Sequence, residues 1–170
     1  MRDVLMVIAL VDFRDEEYLE PRDVFLDVDF NVKVASLELG KAVGTDGAEV
    51  NIDMVIEDVM VEEFDAVVFI GGPGMNTLVE EGKFINLAND FYVRQKVCAA
   101  ICVAPSILAY AGVLDGKIAT CWEGSRGALD NGGATYTGES VVADGLVVTA
   151  NGPDAAHEFG QKIVEVLSEI

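Results

Sequence analysis

Apolar and polar positions follow two rhythms along this chain. Residues 4–11 (VLMVIALV) form a continuous apolar run, the pattern of a strand buried on both faces of a parallel sheet. Residues 66–70 (AVVFI) and Val97–Ile101 (VCAAI) repeat it, and residues 32–37 and 117–121 give shorter strands. Between these runs the period changes to a helical one. From Glu16 to about Phe30, Leu19, Val24, Phe25 and Val28 recur at helical spacing, and Asp15 and Glu16 sit where a helix N-terminus favours acids. Residues 84–94 and 104–111 read as further helices, the second stopped by Gly112. Residues 155–168 form a closing helix with Phe159, Ile163, Val166 and Leu167 on one side. Turn residues mark a hairpin excursion at Gly44–Gly47 within residues 42–55, and another at Asp144-Gly145. Without repeats or linkers, this alternation predicts one domain over residues 1–170. Its fold class is α/β: a flavodoxin-like doubly wound sandwich, with a mostly parallel central sheet and helices on both faces. Ligands of such folds bind at the carboxyl ends of the strands, where the loops at Asp12, Gly71, Cys102 and Asn151 fall.

Composition narrows the function. At 51% hydrophobic and 24% charged, the 170 residues are globular rather than disordered. Thirty acidic against eleven basic residues give a net charge of −19, which repels nucleic-acid phosphates and anionic membrane surfaces. No apolar run approaches the ~18 residues of a spanning helix. The N-terminal run lacks the flanks and cleavage site of a signal peptide, so the expected location is cytoplasmic. Cys98, Cys102 and Cys121 form no CxxC pair, and His157 is the only histidine, so no metal site is expected.

Two features carry candidate chemistry. Gly71-Gly72-Pro73-Gly74 follows a strand but lacks the last glycine of a dinucleotide fingerprint and the lysine of a P-loop. It reads as a tight strand-to-helix turn, or as a source of exposed N–H donors for an oxyanion hole. Cys102 ends the Val97–Ile101 strand and precedes a helix with Pro105 in its first turn, the setting of a nucleophile elbow. The helix N-terminus there is expected to lower the thiol pKa. Cys98, inside the strand, reads as a small buried hydrophobe.

The segment Ala99-Ala100-Ile101-Cys102-Val103-Ala104-Pro105 resembles the nucleophile-elbow motif of the ThiJ/PfpI superfamily. Four more segments resemble it in the right order: residues 16–20 with Pro21, 64–72, 111–117, and 144–149 with Gly152-Pro153. The resemblance implies a nucleophilic, oxidation-prone Cys102 and a Glu17 carboxylic acid that hydrogen-bonds its sulfur. It implies oxyanion-hole donors at Gly72 and after Cys102, at Val103, with Gly71, Cys121 and Trp122 as neighbours. It further implies cofactor-free chemistry on a small reactive carbonyl (glyoxalase or deglycase type) and a homodimer. Two departures bear on this. Relatives of the intracellular-protease type carry His directly after the cysteine, where this chain has Val103, and the elbow glycine is replaced by Ala104. A cysteine peptidase is therefore the alternative enzyme. A redox sensor acting through Cys102 oxidation, with Cys121 as a partner if the two thiols approach, is the non-enzymatic one. His157, in the opening turns of the last helix, reads as structural or surface.

Overall fold

A computed structural model describes residues 1–170. The elements in chain order are β1 (Asp3–Val7), β2 (Val11–Phe13), α1 (Asp15–Asp27), β3 (Asn31–Ser36), β4 (Lys41–Gly44), β5 (Glu49–Asn51) and β6 (Met54–Val55). They continue with β7 (Ala66–Phe69), α2 (Pro73–Asn76), α3 (Gly82–Val93), β8 (Val97–Ile101), α4 (Pro105–Tyr110) and β9 (Ile118–Ala119). The last are α5 (Arg126–Asn131), β10 (Thr135–Tyr136), β11 (Val141–Asp144), β12 (Val147–Ala150) and α6 (Ala156–Ser168). Seven strands make the central sheet in the order β11-β12-β8-β7-β1-β3-β6. Every neighbouring pair is parallel except β11 and β12, the hairpin that turns at Asp144-Gly145.

The continuous apolar runs are continuous because both faces of the sheet are covered. Every residue of β7 and β8 is buried. Helices α1 and α6 pack on each other and against β3, β8 and β12, while α3 and α4 pair against β7 and β8. One contiguous cluster of 52 buried apolar residues results. The chain steps from β1 to β3 on one side and returns to β7 on the other, so strand order reverses beside β1. A crevice opens at the carboxyl ends there, the usual place for a ligand. No helix is long and apolar enough to cross a membrane.

Three expectations are corrected. The apolar run 4–11 is two strands, not one. β1 ends at Val7, and Leu10 and Phe13 then bond through their carbonyls to Val43 and Thr45, which places β2 in a separate sheet of order β2-β4-β5. The stretch 117–121 does not join the central sheet. Only β9 is extended, paired with β10, because Thr120 N–H is taken by the Thr149 hydroxyl (2.9 Å) and Trp122 N–H by the Cys102 carbonyl (2.8 Å). The first helix stops at Asp27 rather than Phe30, where Asp29 turns left-handed (φ 59°) and Phe30 N–H returns to Phe25 O.

Candidate functional site

Strand β8 delivers Cys102 to the top of the sheet and then bends sharply. Cys102 has φ 64°, a left-handed conformation costing a non-glycine residue on the order of 1–3 kcal/mol. Both of its backbone groups are held: Cys102 N–H donates to Ala150 O (2.9 Å), and Cys102 O accepts from Trp122 N–H (2.8 Å). The neighbouring strand β12 and the loop after β9 thus impose the bend. The residue is 8% exposed, at the rim of the core rather than inside it.

Helix α1 brings the second group. Its first turn holds Asp15, Glu16 and Glu17, and Pro21 has no N–H for the Glu17 carbonyl, so the helix is locally open at Glu17. Glu17 points inward and is fully buried. Gly71 is the floor on which it meets the thiol. A methyl group there would lie 2.6 Å from Glu17 Oε1, 2.7 Å from Cys102 Cβ and 2.8 Å from Ile101 O, so only glycine lets both side chains converge. Neither Glu17 oxygen finds a well-formed hydrogen bond. A bare carboxylate is untenable in that position, and burial raises the Glu17 pKa from 4.5 to about 8, against smaller downward pulls from the Cys102 thiol and the Arg14 charge. At neutral pH Glu17 is a carboxylic acid.

The same environment overturns the expected low thiol pKa. Burial first, then the Glu17 charge, pushes Cys102 up to about 12, and the Val103 N–H and Arg14 offset only part of this. Helix α4 is only six residues long, and its helical turns begin at Pro105, so its dipole does not dominate. The contribution of the Glu17 charge disappears whenever Glu17 holds its proton, which links the two groups in one titration.

Beside this pair lies a cleft of about 390 Å³ lined by Arg14, Gly72, Asn76, Cys102, Trp122 and Asn151, with Val103 and two prolines. Clefts of about 370 and 430 Å³ elsewhere on the surface contain no thiol. Gly72 adopts φ 114°, and the N–H groups of Gly72 and Val103 bond to no backbone carbonyl, the Val103 N–H facing the Cys102 sulfur instead. Trp122 is half exposed at the rim. Cys121 is buried outside the lining, and after burial the charges acting on its thiol are those of Asp130 and Arg126 on α5. His157 lies exposed on α6, away from the cleft. All three cysteines are free thiols. No cluster of three or more His, Cys, Asp or Glu is placed to hold a metal ion. Sequence reading missed Arg14 and Asn76 and named Asn151 only as the place of a loop at the carboxyl ends of the strands. The available signal was that Arg14 sits three residues before Glu17.

Known proteins resemble the whole chain. The family model described as the DJ-1/PfpI family matches residues 2–166. An uncharacterized Methanocaldococcus jannaschii protein is 40% identical over 98% of this chain and 82% of its own length. A deglycase of Pyrococcus abyssi is 30% identical over 96% of this chain and 98% of its own. The crystal structure of a ThiJ/PfpI domain protein from Brachyspira murdochii superposes with a TM-score of 0.97 at 36% identity, covering 99% of this chain and 97% of that one.

Proposed function

Because the chain belongs to the DJ-1/PfpI family, we propose that its cleft performs cysteine-dependent chemistry on small reactive carbonyls, of deglycase or glyoxalase type, with Cys102 as nucleophile and Glu17 as proton relay. The observation that carries this reading is the meeting of Glu17 and Cys102 across Gly71, a protonated carboxyl against a thiol at a strained turn. The Pyrococcus abyssi relative bears the name deglycase, which agrees with it.

The pair reacts without a resting thiolate. With a 2-oxoaldehyde in the cleft, one Glu17 oxygen donates its proton to the aldehyde oxygen as the other accepts the thiol proton. The carbon–sulfur bond forms, the S–H bond breaks, and a hemithioacetal results. The Gly72 and Val103 N–H groups stabilise negative charge gathering on oxygen. Glu17 then takes the hydrogen from the sulfur-bearing carbon while protonating the neighbouring carbonyl oxygen. Glu17 then returns a proton to the second carbon and takes the hydroxyl proton from the sulfur-bearing carbon, which converts this enediol into a thioester. Water hydrolyses the thioester, releasing a 2-hydroxy acid and the free thiol, so the net change is addition of one water.

A peptidase needs a base that later protonates a leaving amine, and the cleft contains no histidine, Val103 occupying the position beside the thiol. The test is turnover of methylglyoxal to lactate beside a peptide panel. Wild-type protein converts the carbonyl, and Cys102→Ser falls to the uncatalysed background. Peptide cleavage without carbonyl turnover overturns the proposal.

A further inference from the structure

Arg14 is the one charged side chain lining the cleft. Its guanidinium takes part in none of the ion pairs of the protein and donates no side-chain hydrogen bond to any residue. Its Nε is buried without a partner. That is unusual company in a chain with thirty acids, where seven of the eleven cations do find a carboxylate. No acid lines the cleft to offset that charge. Glu17 is neutral near pH 7, and the Arg14 charge is felt by both Glu17 and Cys102. The Arg14 backbone is anchored, its N–H donating to Gly71 O (3.0 Å) and its carbonyl accepting from Tyr18 N–H (3.3 Å). An unpaired guanidinium beside a thiol, flanked by Asn76 and Asn151, has the fork geometry that pairs with a planar or tetrahedral oxyanion.

We propose that Arg14 is a specificity-determining residue that makes the cleft selective for small carbonyl compounds carrying an anionic oxygen group, a carboxylate or a phosphate. The proposal rests on the reading of Cys102 as the accessible nucleophile of the cleft. The guanidinium binds the anionic end, Asn76 and Asn151 supply neutral donors around it, and the carbonyl end reaches the sulfur. The 2-hydroxy acid released by the proposed reaction is itself such an anion, so Arg14 also faces the product carboxylate.

The experiment avoids carbonyl turnover, so failure of the carbonyl reading and failure of the anion reading remain distinguishable. Cys102 is alkylated with iodoacetate, which carries a carboxylate, and with iodoacetamide, its neutral analogue. The ratio of the two rates is read by peptide mass mapping, with the unfolded chain as reference. The native ratio exceeds the reference by roughly 10- to 100-fold, the range of charge-assisted hydrogen bonds. Arg14→Gln removes that preference, and Arg14→Lys, which keeps the charge but loses the fork, retains part of it. An unchanged ratio in Arg14→Gln overturns the proposal. Wild-type protein supplies an arm that needs no variant: millimolar lactate and inorganic phosphate are each tested for protection of Cys102 from iodoacetamide. Protection by lactate alone assigns a carboxylate, protection by phosphate alone assigns a phosphate, and protection by neither overturns the proposal.

Discussion

Cys98 and Cys102 stand four residues apart, one inside β8 and the other just past its end, and burial pushes both thiols up to about 12. Cys98 lies in regular strand between Val67 and Val147, and its sulfur has only the Ala88 and Lys96 carbonyls within 3.8 Å. Burial alone accounts for its raised pKa, and no titratable group shares its surroundings. Cys102 is turned out of the sheet at φ 64°, meets Glu17 across Gly71 and opens onto a cleft holding Arg14. Proton affinity therefore does not separate a packing thiol from a candidate nucleophile here. Backbone direction and neighbours do, and a thiol that is protonated at rest can still react if an adjacent acid exchanges protons with it.

The largest expected effect separates the two by removing the acid. Glu17→Gln keeps an N–H donor in place of O–H but cannot relay protons, so carbonyl turnover falls ~10²-fold, while Cys98→Ala leaves turnover near the wild-type value. The pH profile sharpens this. In the proposed mechanism the protonated Glu17 is the active form, so wild-type activity declines as pH rises through about 8, a limb that Glu17→Gln lacks. Stability follows the same sign. The folded pKa of Glu17 lies above the unfolded one, so the folded state binds the extra proton and loses stability as pH rises from about 4.5 to about 8. The loss is on the order of 4 kcal/mol for this fully buried group. Urea unfolding of wild type and Glu17→Gln at pH 5 and pH 9 isolates it. A difference between the two proteins that does not change with pH removes Glu17 as a buried acid.

A smaller effect concerns access. Cys98 is fully buried, so a reagent reaches it only when the protein opens, whereas Cys102 is reached from the cleft of the folded state. Iodoacetamide therefore modifies Cys102 at least ~10-fold faster than Cys98 or Cys121, as read by peptide mapping of partially labelled protein. Cys98 or Cys121 reacting first reverses the comparison.

These differences were unevenly legible in the sequence. Val97–Ile101 and residues 66–70 announce themselves as buried strands because both faces are covered, and that places Cys102 and Gly71 at strand ends. The direction of the Cys102 pKa was not legible, because it depends on burial and on Glu17, far away in the chain, rather than on the short helix that follows. Arg14 was hidden for a related reason. Among Asp12, Asp15 and Glu16 it looks paired, and only the fold shows that none of these acids reaches it. Val11 misled in the opposite sense. It extends an apolar run yet is 64% exposed on β2, because hydropathy does not record which sheet a residue joins. Two-residue ladders such as β9 with β10 leave no period to detect.

The smallest effect uses the surface charge to test whether Cys98 is protected by global stability. The net charge of −19 is spread over a surface where eight ion pairs, all at least partly exposed, leave most of the thirty acids unpaired. Such pairs contribute little, and unpaired like charges repel across the domain while the Debye length is ~30 Å, at about 10 mM salt. At about 1 M the length is ~3 Å and the repulsion is screened. Sodium chloride therefore raises stability, with each ~1 kcal/mol appearing as roughly 2–4 °C in Tm for a chain of this size. The open population falls by about 5-fold for the same change. Iodoacetamide labelling of Cys98 consequently slows about 5-fold from low to high salt, while labelling of Cys102 by this neutral reagent holds steady. Parallel changes at both thiols mean that the two cysteines are exposed by the same opening and that the cleft does not distinguish them, whereas a Tm that stays flat or falls with salt defeats the repulsion argument.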